Sequence, residues 1–378
     1  MKLYFDLITE PLLLQSYGIL FFISFVLCFV IILSSGYGFS RRGTCDEVAV
    51  QSAHTGFVPR VGGLAIYIGI LALMPLLSFG FIPLYLVFNL DSEQLKLLIL
   101  STAPIFSIGF AEDLGYNMAP KLRLVASAIF SFIAVMLLQT WLDRIGIPFV
   151  DQVLMIAPFG IFFTIFATLG VLNAFNLIDG LNGLSSYVTV SIAFSLSVIA
   201  FHAGNLQISI FLVLLVSTVL GFMILNFPLG KIFLGDGGAY ALGHLLAWSA
   251  IFIFTHADQV SAFAVFLVFF WPVADTGLAI WRRWKLGSPT DHPDRLHFHH
   301  LVMRFLEIRF FGRDRRKTTN PVATLILIPL ISVPQVLGVL LWDNFEASLL
   351  SVFCVGLFFI ASYLILFHFS KTGRRMID

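Results

Sequence analysis

Long apolar runs separated by short polar connectors make up almost the whole of this chain. Eleven runs, roughly 12–35, 63–88, 95–111, 122–140, 153–171, 184–202, 207–225, 239–255, 260–281, 322–342 and 346–369, are close to the span of about 17 to 25 residues with which a helix crosses a hydrocarbon layer of about 30 Å. The pattern predicts an all-α polytopic integral membrane protein of about eleven transmembrane helices, one domain over 1–378. Pro75, Pro104, Pro158, Pro272 and Pro329 interrupt these runs. Helices in a bundle tolerate them where neighbours or water satisfy the freed backbone groups. The first run is too long for a signal-peptide core, carries Asp6 and Glu10 on its N-terminal flank and is followed by many more spans, so it is read as a retained helix.

Composition closes off a soluble alternative, with 59% hydrophobic residues against 11% charged ones. The net charge of +1 is less informative than its distribution. Numbering the connectors alternately from an outside N-terminus puts every Lys and Arg on one side except Lys2, Lys96 and Arg144. Basic residues beside spans are retained in the cytoplasm. The expected arrangement is therefore N-terminus outside and C-terminus cytoplasmic, with cytoplasmic loops at about 41–62, 112–121, 172–183, 226–238 and 282–321. Cys28 and Cys354 fall in spans and Cys45 in a connector, which suggests no disulfide framework.

Each of the five loops holds something a phosphate or a metal could use. SAHTGFVPRVGG (Ser52 to Gly63) joins His54 and Arg60 to a glycine pair opening a helix, either an anion site for backbone N–H groups or a basic turn at the headgroups. FAEDLGYNMAPKLRL (Phe110 to Leu124) pairs Glu112 and Asp113 with Lys121 and Arg123. The acids form a seat for a divalent ion and the cations a hold on phosphate, or both are interfacial capping and anchoring. NAFNLIDGLNG (Asn173 to Gly183) spaces Asn173, Asn176 and Asp179 three apart, near one helix face. NFPLGKIFLGDGGAYALG (Asn226 to Gly243) sets five glycines around Asp236, and Phe233 reads as a stacking platform or a headgroup-level aromatic. After a span ending near Asp275, DHPDRLHFHHLVMRF (Asp291 to Phe305) gathers His292, His297, His299 and His300 beside Arg295. The imidazoles fit hydrogen bonds to phosphates better than a transition-metal cluster, since the other loops offer oxygen ligands and no H-E-x-x-H pattern occurs.

N-A-F-N-L-I-D-G-L-N-G, F-L-G-D-G-G-A-Y-A-L-G, V-P-R-V-G-G and D-R-L-H-F-H-H, on one face of the predicted bundle, resemble the polyprenyl-phosphate N-acetylhexosamine-1-phosphate transferases, the MraY and WecA superfamily within glycosyltransferase family 4. The motifs cover about 50 to 305. The resemblance implies transfer of a sugar-1-phosphate from a UDP-sugar to undecaprenyl phosphate, releasing UMP, with Mg²⁺ as cofactor and Mn²⁺ as a substitute. It implies Glu112, Asp113, Asp179, His297, His299 and His300 as catalytic residues. His54, Arg60, Lys121, Arg123, Asn173, Asn176, Phe233 and Arg295 would bind substrate, with Phe233 stacking on uracil, and Asp113, Asp236 and Asn176 would hold the metal. The expected setting is the bacterial inner membrane; the partners are the two substrates and the bilayer, with no nucleic acid, and homodimers occur in the family. The loops look closer to enzymes that start O-antigen, capsule or related surface polysaccharides than to the peptidoglycan branch.

Two positions depart from the family pattern. Glu112 stands where an Asp is usual, and Asn182 replaces the second acid of the D-G-x-D-G loop. A secondary transporter is the alternative from another class, and it predicts ionisable groups near mid-bilayer reached from both sides. Here they crowd at one face. A catalytically altered scaffold of a polysaccharide assembly complex is suggested only by the two departures.

Overall fold

The computed structural model describes residues 2–35, 58–78, 92–116, 118–287 and 296–372. It is helical, with no β-strand among the described residues. In chain order the helices are α1 (Lys2–Ile8), α2 (Pro11–Ser35), α3 (Gly62–Ser78), α4 (Ser92–Asp113), α5 (Pro120–Leu138), α6 (Pro148–Leu154), α7 (Ala157–Ile178), α8 (Leu184–His202), α9 (Leu206–Asn226), α10 (Gly235–Thr255), α11 (Ala262–Leu286), α12 (Phe298–Leu306), α13 (Arg316–Leu340) and α14 (Phe345–Thr372). Ten of them are long and apolar enough to cross a membrane, and α3 is a shorter apolar helix where an eleventh span is expected.

Three boundaries differ from the sequence reading. The run expected at 153–171 is α7, which begins later and continues to Ile178; Pro158 lies in its first turn, where the missing N–H has no partner to lose. Asp236 falls in the first turn of α10 rather than in a loop. The long basic connector is largely helical: α11 continues to Leu286, α12 covers the histidine segment, and α13 starts at Arg316. Amphipathic α12 buries Phe298, Leu301 and Val302, a pattern too short to read as a span.

The core sits around α10, whose every residue from Gly237 to Phe254 is buried, whereas α14 is largely exposed along its length. Yet α10 is the least hydropathic of the ten. Outward-facing side chains must suit lipid, while an enclosed helix has protein on every side and tolerates glycine, serine and histidine. Close backbone approach fixes its position. A Cβ on Gly109 of α4 would stand 2.6 Å from the Asp236 carbonyl and the Gly237 nitrogen, and Gly63 of α3 abuts Gly238. The far end of α10 is held by Arg144, whose Nη2 donates to the carbonyls of Phe254 (2.7 Å) and Ala257 (3.1 Å). A cation there also complements the negative end of the helix dipole.

Candidate active site

The start of α10 is received by a carboxylate from another helix. Asp113, the last residue of α4 and nearly inaccessible, accepts the Asp236 N–H at 2.8 Å and the Gly237 N–H at 2.9 Å, one on each oxygen. These are two of the amides that a helix start leaves without internal partners, and the Asp113 side chain supplies their acceptors. Gly235 makes the turn with φ +77 and is pressed against the Arg60 carbonyl and the Asp113 carboxylate, so a side chain there would meet both strain and collision. The glycines of the G-D-G-G motif thus serve contact between helices.

The same holds for the pair opening α3. Gly62 N–H donates to the Phe233 carbonyl (2.9 Å) and Gly63 N–H to that of Leu234 (2.7 Å), while Phe233 N–H donates to the Pro59 carbonyl (2.9 Å). The sequence reading allowed these amides to bind an anion. The structure commits them to the Phe233–Leu234 backbone, which joins the first and fourth connectors, and the Phe233 ring is half-buried.

What α10 presents outward is the Asp236 side chain. Asn176, on the last turn of α7, donates Nδ2–H to Asp236 Oδ1 at 2.8 Å. Arg60 lies 3.8 Å from Oδ1 and Arg123 3.7 Å from Oδ2. Arg123 also holds Glu112, its Nη1 standing 2.7 Å from both carboxylate oxygens. Three expected connectors therefore meet at one carboxylate, with the arginines offering charge to a further anion. Lys121 is exposed at the first turn of α5. Asn173 is turned inward on its own helix, Nδ2–H to the Leu169 carbonyl at 2.8 Å.

Asp179 ends α7 and accepts the Ser185 hydroxyl at 2.6 Å. Burial pushes its carboxyl up from 3.8 to about 6; the Ser185 hydrogen bond, the Arg60 charge and the Gly235 N–H oppose the rise, and the Asp236 charge adds to it. Asn182 is buried, its N–H donates to Asn320 Oδ1 (2.8 Å), its carbonyl accepts the Thr324 hydroxyl (2.8 Å), and its Nδ2 lies 3.4 Å from the Pro228 carbonyl. Gly183 N–H goes to Asn226 Oδ1 at 2.7 Å. The loop is thus clamped by α9 and α13. An amide at 182 suits a carbonyl neighbour, whereas a carboxylate would set acceptor against acceptor, which explains the departure at this position.

The histidines approach from the other side. A Cβ on Gly180 would come within 2.5 Å of His299 Nε2 and 3.1 Å of His300 Cε1, so the absence of a side chain is what lets the imidazoles dock on the Asp179 loop. His299 and His300 have ring centroids 4.2 Å apart, and His297 and His299 5.6 Å. Behind them is Asp275, buried in α11, which accepts the Phe298 N–H at 2.9 Å on Oδ1 and lies 3.1 Å from His297 Nδ1 on Oδ2. Sequence reading used Asp275 only to mark the end of a span. An ionisable residue inside an apolar helix was the available signal. His54 and Arg295, both expected to bind substrate, lie outside the described residues.

The residues present fit a magnesium ion. Mg²⁺ retains several waters and takes one or two carboxylates with substrate phosphates rather than a full protein cage. A partly exposed Asp236 carboxylate with an amide beside it supplies such a donor set, while both Asp113 oxygens already carry backbone hydrogen bonds. Among the described residues no three Asp, Glu, His or Cys side chains form a cage of their own.

Comparison with known proteins then places the chain. The glycosyl transferase family 4 model matches residues 95–254. Similar proteins include the undecaprenyl-phosphate alpha-N-acetylglucosaminyl 1-phosphate transferases of Escherichia coli strain K12, 26% identical over 271 residues and 70% of each chain, and of Salmonella typhi, 29% identical over 276 residues and 70% of each chain. A Bacillus subtilis protein named as a probable undecaprenyl-phosphate N-acetylglucosaminyl 1-phosphate transferase is 28% identical over 268 residues, 70% of this chain and 71% of that one. Over this segment the chain is similar to the glycosyl transferase family 4. The matched segment runs from α4 to α10, so it contains Asp113, Arg123, Asn176, Asp179 and Asp236. Arg60, Asp275, the histidines and the α13 clamp lie outside it.

Proposed function

We propose that this chain transfers an N-acetylhexosamine-1-phosphate from a UDP-sugar to undecaprenyl phosphate, with Mg²⁺ or Mn²⁺ bound, at the cytoplasmic face of a bacterial inner membrane. Its product would start a lipid-linked surface polysaccharide. The observation that carries the reading is Asp236, held on the start of an enclosed helix and ringed by Asn176, Arg60 and Arg123. The names of the relatives supply the substrate class, and the basic connectors support the N-out, C-in orientation.

The nucleophile is an oxygen of the lipid monophosphate, already anionic at neutral pH with a second pKa of about 6. It forms a bond to the β-phosphorus of the donor as the bridging oxygen leaves with UMP. Bringing two anions together is the main obstacle. Arg60 and Arg123 offset that repulsion, and the arginine bound to Glu112 exchanges its carboxylate for phosphate oxygens. Asp236 with Asn176 would hold Mg²⁺, which supplies neutralisation of the diphosphate as charge builds on the leaving oxygen. Imidazole N–H groups from the histidine segment would donate to the transferred phosphoryl, and the half-buried Phe233 ring would stack on uracil.

The lipid has a route. A groove of about 480 Å³ with almost wholly apolar walls lies between α7, α10 and α11, from Leu142 and Ile145 past Phe166 and Phe266 to Thr276 and Gly277. Its inner end is next to Asp275 in sequence. A polyprenyl chain lying there would put its phosphate beside the histidines and the Asp179 loop, and positioning of this kind is a large part of phosphoryl-transfer catalysis.

The test is purified protein with undecaprenyl phosphate, Mg²⁺ and a panel of UDP-sugars. UMP release with at least one donor is expected. No release from any donor, under conditions where a relative turns over, overturns the reading.

A further inference from the structure

We infer that Asp275 is a positioning residue for the transfer reaction, acting through His297; the inference rests on the reaction proposed above. Asp275 sits well inside α11, with α12 packed over it, and is 4% exposed. A carboxylate so enclosed is costly unless its oxygens are paired. Here each oxygen has a separate duty. Oδ1 takes the Phe298 N–H, the first amide of α12, which fixes where that helix starts. Oδ2 lies 3.1 Å from His297 Nδ1 and 3.7 Å from His299 Nδ1.

One carboxylate thus sets the position of a helix and the orientation of the ring at its N-cap. With Nδ1–H donated to Asp275, the His297 ring keeps Nε2 for a second partner. With a proton on Nε2 as well, that nitrogen would donate to a phosphoryl oxygen. The geometry leaves the ring little freedom. It stacks on His299 at an interplanar angle of 17°, and His299 is itself wedged against Gly180. The Trp271 ring packs edge-on to Phe298 with centroids 4.8 Å apart, fixing the same joint from the apolar side. Asp275 touches no substrate on this account; it makes His297 ready before substrate arrives.

The experiment compares wild type, Asp275→Asn, His297→Gln and the double variant, each by kcat, KM for the UDP-sugar and melting temperature. Asn at 275 retains an acceptor for Phe298 N–H but removes the charge. The expected result is a fall in kcat of roughly 10- to 100-fold, KM within about twofold, and a double variant no slower than His297→Gln alone, as residues acting as a unit are non-additive. Wild-type kcat in Asp275→Asn, or independent factors that multiply in the double variant, would overturn the inference while leaving the transferase reading intact. A wild-type protein that releases no UMP overturns both. Should Asp275→Asn not fold, nitrogen-15 histidine spectra of the wild type decide: a His297 ring, assigned by its loss in His297→Gln, must carry a proton on Nδ1. A ring without it contradicts the inference.

Discussion

Two helices in this molecule start on a carboxylate lent by an earlier helix, and the two starts are used differently. At α10 both Asp113 oxygens accept backbone amides, and the side chain that faces the site, Asp236, belongs to the helix being capped. At α12 the capping Asp275 spends one oxygen on the backbone and the other on a functional ring. The first arrangement separates scaffold from chemistry, so Asp113 is expected to act on folding and Asp236 on turnover. The second merges them. Buried acids with similar surroundings therefore predict different phenotypes, according to what each oxygen touches.

The contrast breaks first at Asp236. Asp236→Asn keeps size and helix start, and should cut UMP release by roughly 10²- to 10³-fold or more with an unchanged melting temperature; a variant with full turnover would remove Asp236 from the site. At its neighbour the effect moves to stability. Asp113→Ala leaves two buried amides without acceptors, and roughly 2–5 kcal/mol of destabilisation is expected, read as loss of folded protein on heating in detergent. Normal thermal stability would mean that the amides find other partners.

Gly180→Ala probes the joint between the two regions, because the new methyl falls on His299 Nε2. About tenfold lower kcat is expected, measured beside an unchanged affinity for UDP. Asn182→Asp should lower stability by roughly 1–3 kcal/mol without raising turnover, since the side chain lies 3.4 Å from the Pro228 carbonyl, where a carboxylate would set acceptor against acceptor; higher activity would restore this position to the catalytic set.

The smallest effect is pH-linked. Asp179 has its folded pKa raised to about 6 from 3.8, so the folded state holds a proton that the unfolded state has released between those values. Its contribution favours folding at low pH and is lost as pH rises through about 6. Asp179→Asn should therefore raise the melting temperature by a few degrees, on the order of 2–4 °C per kcal/mol, on the alkaline side of that pKa and leave it unchanged well below. An equal gain at every pH would assign the effect to packing.

Much of the bundle and of the site was legible in the sequence because both rest on local patterns. Apolar run length locates the ten long helices, and Asn173, Asn176 and Asp179 do lie at the end of one helix. What the sequence withheld depends on partners far along the chain. That Asp113 receives two backbone amides was not readable, because its N–H donors are 123 and 124 residues away. The α13 span reads only as an apolar run, although Asn320 and Thr324 reach back about 140 residues to hold the Asn182 loop. The glycine pair opening α3 fitted an anion site or a basic turn at the headgroups until its amides were traced to carbonyls. Asp275 carried a usable signal, an acid in an apolar helix, but its target lies on a segment that reads as a loop.

The central claim is that a phosphate travels with the sugar to the lipid, across a site organised by Asp236. It is tested most directly by a UDP-sugar radiolabelled at the β-phosphate, incubated with wild-type protein, Mg²⁺ and undecaprenyl phosphate and then partitioned between butanol and water. The account predicts that label enters the lipid phase as unlabelled UMP forms, and that Asp236→Asn blocks both. Label remaining in the water as UDP while sugar enters the lipid would contradict it.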